Sequence, residues 1–391
     1  MGTLRFLNAG ESHGPALTAI IEGIPANLKI SVEDINKDLA RRQQGYGRGG
    51  RMKIEKDKAE ILSGVRFGYT LGSPITLMVR NKDWENWTDI MAIEGEPTDK
   101  REIFNPRPGH ADLVGGIKYG FEDLRNVLER ASARETTTRV AVGAVCKALL
   151  RDIGINIGSY VVSIGELSVK DLIPLIPLEK RAELAEKSEV RIPVPEEDIK
   201  FKELIDLAKK EGESLGGIFE VFATGVPIGL GSYVHWDRRL DGKIAQAMMS
   251  IQAMKGVEIG DGFELTRKFG SQAHDEIFYD KEKGFYHRSN HAGGLEGGVT
   301  NGEPILVRVG MKPIPTLMRK KSLQSVNIKT KQPFDAAKER SDVTAVPAAA
   351  VVGEAMLAIV LADAILEKFG NDNWIEIKER ISEYREFTRK F

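Results

Sequence analysis

The sequence predicts an α/β (α+β) fold in which two similar halves form one layered protein. Its 391 residues are 41% hydrophobic, which is enough to bury a large core as one big domain or two. Strand-like and helix-like segments are mixed along the chain, and three short patterns recur in the same order in its two halves. Each of these elements is justified by its own local pattern.

Two apolar segments of the first half predict strands. They are TLRFLNA (residues 3–9) and PITLMVR (residues 74–80), and both are bounded by glycine, serine or proline. Between them, SVEDINKDLARRQQG (residues 31–45) predicts a helix, because Ser31 can cap it and acidic residues lie in its first turn.

Two longer segments predict buried helices. Residues 133–154 carry a stripe of small side chains suited to close packing, and they include Cys146, whose apolar neighbours indicate a buried thiol and not a nucleophile. Residues 345–366 are strongly apolar but are interrupted by Glu354 and Asp363. We therefore expect a buried helix there and not a membrane span.

Two further segments differ from the core pattern. Residues 168–214 are rich in charge and punctuated by proline, which predicts a solvated excursion with two short helices and no chemistry. Residues 371–391 place Ile377, Ile381 and Tyr384 on one helical face. This spacing predicts a docking helix or an oligomer contact.

The recurring patterns divide the chain into halves of about residues 1–160 and 215–370. The matching positions are Gly23 with Gly225, Gly72 with Gly302, and Arg134, Thr138 and Val140 with Arg340, Thr344 and Val346. Their common order indicates that the halves could repeat one layered unit. A site between them would draw arginines from both.

Composition excludes several classes of protein. The net charge is −1 and the pI about 6.7, so no overall field attracts nucleic acid or an acidic membrane. Aromatic residues make up only 7%, which is thin for stacking on single strands. A single cysteine excludes an internal disulfide, and with no secretory signal at the start we expect a cytoplasmic protein.

Five clusters carry the residues suited to chemistry. They are GESHG with Ser12 and His13, RRQQGYGRGGR with Arg41, Arg42, Arg48 and Arg51, PRPGHAD with Arg107, His110 and Asp112, ERASARETTTR with Arg130, Ser132 and Arg134, and KERSDVTAVP with Arg340 and Asp342. Arginine and serine at helix starts suit anions, because free N–H groups add to the side-chain charge. In a nearly neutral protein they predict a small, multiply anionic ligand.

Other interpretations stay open for single clusters. The arginine loop is also typical of a solvated face, His13 could be a structural loop histidine, and Asp112 could serve only to orient His110. A metal site is disfavoured because the H-E-x-x-H spacing is absent and a single cysteine cannot make a thiolate site. GESHG fits G-x-S-x-G formally but has no assignable base and acid, so a serine hydrolase is disfavoured too.

Six motifs in order resemble the chorismate synthases over residues 10–360: GESHG, RPGHAD, RASARET, SIQAMKGVEIGDGF, SNHAGG and RSDVTAVP. The resemblance implies one domain over residues 1–391, a β-α-β sandwich of two related halves, and a homotetramer. It implies anti-1,4-elimination of phosphate and the C6 hydrogen from 5-enolpyruvylshikimate 3-phosphate, giving chorismate. The reaction requires reduced FMN without net redox change and is the last common step of the shikimate pathway.

The resemblance also implies roles for individual residues. His13 would serve the departing phosphate, His110 the reduced flavin, and Asp342 the proton that leaves C6. Substrate or NADP contacts would be Ser12, Arg42, Arg48 and Arg134. Flavin contacts would be Arg130, Ala131, Ser132, Gln252, Ala253, Gly297, Lys312, Pro313, Ile314, Pro315, Thr316 and Arg340. The glycine loop after SNHAGG would let the flavin approach bare backbone at Gly297.

Two rival functions use the same residues. One is a protein that binds structured RNA or nucleotides through the basic loops, which would show a steep dependence on salt. The other is a flavin oxidoreductase with net turnover of a nicotinamide cofactor. NADPH is the candidate source of electrons for reducing the flavin. The sequence leaves open whether the protein reduces its own flavin.

Overall fold

The computed structural model of the chain describes residues 3–49, 56–96, 98–339 and 341–391. The elements of the first half are β1 (Arg5–Ala9), β2 (Ala16–Glu22), α1 (Val32–Gln43), β3 (Ala59–Ile61), β4 (Val65–Arg66), β5 (Tyr69–Thr70), β6 (Ile75–Arg80), α2 (Asp112–Tyr119), α3 (Arg125–Ala131) and α4 (Thr136–Asp152). Strands β1, β2, β6 and β3 form an antiparallel sheet in that order. The predicted cap of α1 is confirmed, since the Ser31 side chain accepts the Asp34 N–H at 3.2 Å.

A second antiparallel sheet consists, in spatial order, of the strands Met254–Ile259, Ile305–Met311, Gly217–Thr224, Asn156–Ile164 and Leu167–Ser168. The remaining elements are β7 (Asn156–Ile164), β8 (Leu167–Ser168), α5 (Leu178–Ala185), α6 (Asp198–Glu211), β9 (Gly217–Thr224), α7 (Leu240–Met249), β10 (Met254–Ile259), α8 (Gly270–Ala273), β11 (Ile277–Asp280), β12 (Gly284–His287), β13 (Leu295–Glu296), β14 (Val299–Thr300), β15 (Ile305–Met311), β16 (Gln324–Val326), β17 (Pro333–Asp335), α9 (Val346–Phe369) and α10 (Trp374–Lys390). The predicted mixture of helix and strand, the α+β class, is confirmed.

Helices α4 and α9 pack against each other and against different sheets. Helix α4 contacts β2 and β6, whereas α9 contacts β7 and β9. A Cβ on Gly143 of α4 would overlap Ala355 of α9, so the small-residue stripe allows the close packing that the sequence predicts. Burial raises the pKa of the Cys146 thiol in this interface to about 12.

The two sheets are built in the same order. Each half runs through two strands, a helix, two more strands and a long helix, as β1-β2-α1-β3-β6-α4 and as β7-β9-α7-β10-β15-α9. Gly23 and Gly225 directly follow β2 and β9, and both have positive φ. Gly72 and Gly302 each precede the next paired strand by three residues, again with positive φ.

Helix α9 is long and apolar enough to cross a membrane by length and composition, but 89% of its most apolar window is buried inside the protein. Its Glu354 is also buried, and it accepts hydrogen bonds from Arg41 at 2.8 Å and from Lys147 at 2.6 Å. The predicted buried helix is thus confirmed, and its charge is paired within the core.

The prediction that residues 168–214 are a solvated excursion is wrong. Val190, Ile192, Phe201 and Ile205 are buried in the main core, and Ile205 meets the arginine loop so closely that a Cβ on Gly47 would lie 2.8 Å from it. The high charge of the segment conceals an apolar helical stripe, since charged side chains occupy only the outer face of α6.

Candidate active site

His13 lies in the turn between β1 and β2 and is held by Glu129 of α3. The Glu129 carboxylate contacts His13 Nδ1 at 2.8 Å and accepts its backbone N–H at 2.8 Å. Burial opposes ionisation of Glu129, but its hydrogen bonds from His13 and the nearby Arg125 charge prevail and lower its pKa. The backbone N–H of Ser12 donates to the Glu129 carbonyl at 3.0 Å, which fixes the turn itself.

An aromatic ring covers one face of His13. The Trp87 ring stacks on the imidazole with centroids 3.8 Å apart and planes 21° apart. The guanidinium groups of Arg101 and Arg125 lie 4.0 and 5.2 Å from the Trp87 ring centroid. Sequence reasoning missed both Trp87 and Glu129, because neither lies within the motif of the residue that it contacts.

His110 has a carboxylate partner of the same kind. Its Nδ1 contacts Asp112 Oδ1 at 2.6 Å, and Asp112 also accepts Arg107 Nε at 2.8 Å and the Arg107 backbone N–H at 3.0 Å. Asp112 is fully buried, which opposes its ionisation, but the hydrogen bonds from His110 and Arg107 hold its pKa well below the usual range. The three residues form one ionic unit.

The segment 312–316 lies against this unit. Arg107 Nη1 donates to Thr316 Oγ1 at 3.1 Å, and the Lys312 amine donates to the Gly109 carbonyl. The Lys312 backbone N–H donates to the Ala253 carbonyl at 3.0 Å. The structure therefore brings Ala253 and segment 312–316 together with the His110 turn.

Gln252 connects this region to the start of α4. Its Nε2 donates to Glu135 Oε1 at 2.5 Å, and Glu135 lies in the 3-10 turn Ala133–Glu135 that Ser132 caps. The Gln252 Oε1 atom is buried and has no hydrogen-bond partner among the residues that the structure describes. A buried acceptor of this kind indicates space for a donor from a ligand.

Asp342 contacts the arginine loop in the wall of a cavity of about 570 Å³. Its Oδ1 accepts the Gly49 N–H at 2.6 Å, and its Oδ2 lies 3.3 Å from Arg48 Nε. The lining residues are Tyr46, Gly47, Arg48, Gly49, Asp206, Lys209, Gly212, Glu213, Thr316, Met318, Ser341, Asp342 and Val343. Because Thr316 also binds Arg107, the cavity adjoins the His110 unit.

Arg42 and Arg134 are buried in the protein interior, and Arg42 lies close enough to Arg48 and Asp342 of this cavity to interact with their charges. Arg42 donates to Thr136 Oγ1 and to the Ala133 carbonyl, both at 3.0 Å. Burial, reinforced by the charges of Arg134 and Arg48, lowers the pKa of Arg42 to about 10. Arg134 donates to Asp57 at 2.7 and 2.8 Å and to Asn81 at 2.8 and 3.0 Å, so its guanidinium has internal partners.

Not every predicted residue joins this group. The Arg130 guanidinium is exposed and donates to Asn8 and to the Gly10 carbonyl, and Ala131 ends α3 beside it. Gly297 lies in the β13–β14 turn at the start of α7, whereas Gln252 follows the end of α7. A helix of that length separates the two by about 15 Å. Arg51 and Arg340 lie outside the described residues.

The glycines of the loop at residues 293 and 294 pack against other backbone segments of the protein. A Cβ on Gly293 would overlap the backbone of Gly260, and one on Gly294 would lie 2.6 Å from the Pro304 carbonyl oxygen. The Asp275 carboxylate accepts the backbone N–H groups of His291 and Ala292, both at 2.9 Å. These glycines therefore allow a close approach of backbone to backbone. Within the described parts of the chain, no cluster of three His, Cys, Asp or Glu side chains could hold a metal ion.

Comparison with known proteins yields concordant matches. The family model described as Chorismate synthase matches residues 4–366. A chorismate synthase of Sulfurihydrogenibium sp. (strain YO3AOP1) is 76% identical over 384 residues and 98% of each chain, and one of Aquifex aeolicus (strain VF5) is 65% identical over 395 residues and 99% of each chain. A crystal structure of a chorismate synthase superposes with a TM-score of 0.81 at 55% identity, covering 99% of each chain.

Proposed function

The chain belongs to the chorismate synthase family, and from that premise we propose that it converts 5-enolpyruvylshikimate 3-phosphate to chorismate and phosphate. The reaction proposed is the anti-1,4-elimination of phosphate and the C6 hydrogen, the last common step of the shikimate pathway. One observation carries the proposal. Thr316 lines the cavity that contains Arg48 and Asp342, and it also accepts a hydrogen bond from Arg107, which belongs to the His110–Asp112 unit.

The chain's own residues can bind the substrate and move its protons. The substrate carries one phosphate and two carboxylates, and Arg48 at the cavity, with the buried Arg42 close to it, would hold such anions at short range. His13 would give a proton to the departing phosphate, help that is worth roughly 10²–10⁴ in rate. Asp342 would take part in moving the proton that leaves C6.

Reduced FMN is part of the proposal, with NADPH as the candidate source of reduction. The residues present fit a flavin, because the Gln252 Oε1 acceptor is buried without a partner among the described residues and lies next to Ala253. Ser132, Gln252, Ala253 and segment 312–316 would hold it. When bound, reduced FMN supplies electron density that assists cleavage of the C–O bond.

The arrangement of the arginines argues against the rival that binds RNA. Arg42 and Arg134 are each only 5% exposed, and their hydrogen-bond partners are internal, so they present no charge to a phosphate backbone at the surface. A phosphate backbone at the surface therefore cannot reach these two guanidinium groups.

We extend the proposal to the oligomeric state, the cellular location and the layered fold of each subunit. We expect a cytoplasmic homotetramer in which two related halves form a β-α-β sandwich. In support, α2 exposes Leu113, Val114 and Ile117, apolar side chains of the kind that subunit contacts cover. The shared strand order of the two sheets supports related halves.

One anaerobic assay tests the reaction. The purified protein is mixed with 5-enolpyruvylshikimate 3-phosphate, NADPH and chemically reduced FMN, and chorismate, phosphate and the remaining NADPH are measured together. Equal amounts of both products, with no stoichiometric oxidation of flavin or NADPH, are expected. Stoichiometric oxidation of NADPH would favour the oxidoreductase instead, and absence of product would contradict the proposed function.

A further inference from the structure

The surroundings of His13 restrict its imidazole ring on two sides. Both carboxylate oxygens of Glu129 lie at Nδ1, at 2.8 and 3.0 Å, and the Trp87 ring lies 3.8 Å away on one face. Only 12% of the His13 side chain is exposed. Because Glu129 occupies Nδ1, a proton exchanged between the ring and a ligand passes through Nε2.

These two neighbours are themselves firmly held. Glu129 is 2% exposed and accepts Arg125 Nη1 at 3.2 Å besides its bonds to His13. Trp87 is 5% exposed, and its Nε1 donates to Asp83 Oδ2 at 3.2 Å. A ring packed between fixed groups has one orientation, and a carboxylate at Nδ1 sets which nitrogen carries the proton.

We propose that Glu129 and Trp87 are positioning residues for His13: Glu129 keeps a proton on Nδ1, and Trp87 keeps the ring plane, so that Nε2 alone exchanges a proton with the substrate. The imidazolium form gives its Nε2 proton to the departing phosphate, which leaves a neutral ring protonated on Nδ1. The role of His13 in phosphate release rests on the proposed function, whereas the state of its ring does not. Two measurements therefore separate the two ideas.

The first measurement needs no substrate. The protein is labelled with ¹⁵N-histidine, the His13 ring signals are assigned by their loss in His13→Gln, and the tautomer is obtained from the Nδ1 and Nε2 shifts at a pH high enough to leave the ring neutral. We expect protonated Nδ1 in the wild type and a majority of protonated Nε2 in Glu129→Ala. An unchanged tautomer in Glu129→Ala would overturn the positioning role of the carboxylate.

A matched control is available at the same arginine. Glu339 accepts Arg125 Nη2 at 2.9 Å but makes no contact with His13 among those described. Glu339→Ala therefore removes a carboxylate from Arg125 and should leave the His13 signals in place. An equal change in both variants would assign the effect to Arg125 and contradict the proposal for Glu129.

The second measurement uses the full enzyme with reduced FMN. We expect Glu129→Gln to lower kcat by about tenfold or more while KM for 5-enolpyruvylshikimate 3-phosphate changes less than about twofold, because the carboxylate orients an acid and does not bind substrate. Trp87→Phe keeps a stacked ring and should stay within about threefold of the wild type, whereas Trp87→Leu should fall by about tenfold.

The outcomes distinguish the inference from its premise. If the wild type makes no chorismate, the proposed function fails, and the ring signals still decide the role of Glu129. If the wild type is active but Glu129→Gln keeps its kcat, or if Trp87→Phe loses as much activity as Trp87→Leu, the proposal for that residue is wrong.

Discussion

Helices α4 and α9 end the two parts of the chain that share a strand order, but the residues before each helix have different partners. Before α4, Arg134 is 5% exposed and donates to Asp57 and Asn81, so its charge is neutralised inside the protein. Before α9, Asp342 lies in the wall of a cavity and faces Arg48 and the Gly49 N–H. The guanidinium before α4 is therefore paired within the protein, whereas the carboxylate before α9 lies in a cavity that a ligand could enter.

This difference shows what a repeated pattern can and cannot predict. The repeat places a charged segment at the same point of each half, because the strand order is the same. Burial and partners then decide the role, since a buried guanidinium must be paired within the protein whereas a residue in a cavity wall can pair with a ligand. Mutations on the two sides should therefore differ in kind.

The largest effect is expected at Arg134. Arg134→Ala would leave the buried Asp57 with a longer ion-pair contact to Arg42, at 3.6 Å, and would remove the donor to the Asn81 side chain, which ties the GESHG turn through the Gly14 carbonyl at 2.7 Å. Breaking a buried pair from one side costs about 3–5 kcal/mol. Urea unfolding followed by circular dichroism should show a loss of that size in the free energy of unfolding.

An exposed ion pair in the first sheet provides the control for Arg134. The side chains of Arg80 and Glu60 are 68% and 44% exposed, and Arg80→Ala should cost less than about 1 kcal/mol. If Arg134→Ala also cost less than 1 kcal/mol, while weakening substrate binding, the region before α4 would be a binding site and the comparison would be wrong.

The second effect concerns Asp342 and should appear in the chemical step. Asn at this position can still accept the Gly49 N–H, so Asp342→Asn should keep the loop and the affinity for flavin and substrate. We expect the rate of a single anaerobic turnover to fall by about 10²-fold, the size of a lost acid–base contribution. Lost binding in calorimetry with an unchanged single-turnover rate would contradict this role.

A smaller effect is expected at Arg48. Its side chain is 9% exposed at the cavity, and a charge-assisted hydrogen bond is worth roughly 1.5–3 kcal/mol, so Arg48→Ala should weaken substrate binding about tenfold or more. Arg267, whose side chain is 76% exposed, serves as the control and should have almost no effect. Unchanged substrate affinity combined with lost RNA binding in Arg48→Ala would favour the RNA-binding rival.

Much of the fold was predictable because its signals are local. The Ser31 cap, the alternating apolar segments and the long apolar helix are each visible within about twenty residues of sequence. The burial of helix α6 was missed because its buried residues Phe201, Ile205 and Ala208 are interspersed with charges. Their spacing of four and three residues was the signal that could have revealed it.

Only those parts of the site whose residues lie in one short motif were predictable from the sequence. The sequence identified His13, His110 and Asp342 as candidates, and Asp112 was recognisable because it lies two residues from His110. Glu129 lies 116 residues from His13, and Asp57 lies 77 residues before Arg134, so these pairs depend on tertiary packing. No periodicity or spacing reports a contact of that kind.

The smallest expected effect is on stability and concerns helices α1 and α7. Helix α1 follows β2, and helix α7 follows β9. Helix α1 is capped by the Ser31 side chain, whereas α7 starts after Arg239 without a side-chain cap. Loss of such a cap costs about 1 kcal/mol, so Ser31→Ala should lower the free energy of unfolding by that amount, and Arg239→Ala should lower it by less than half as much. Both variants should keep wild-type affinity for the substrate, because neither side chain lines the cavity. Equal destabilisation by the two variants would mean that the two helix starts are energetically equivalent, and that the halves differ only at the long helices.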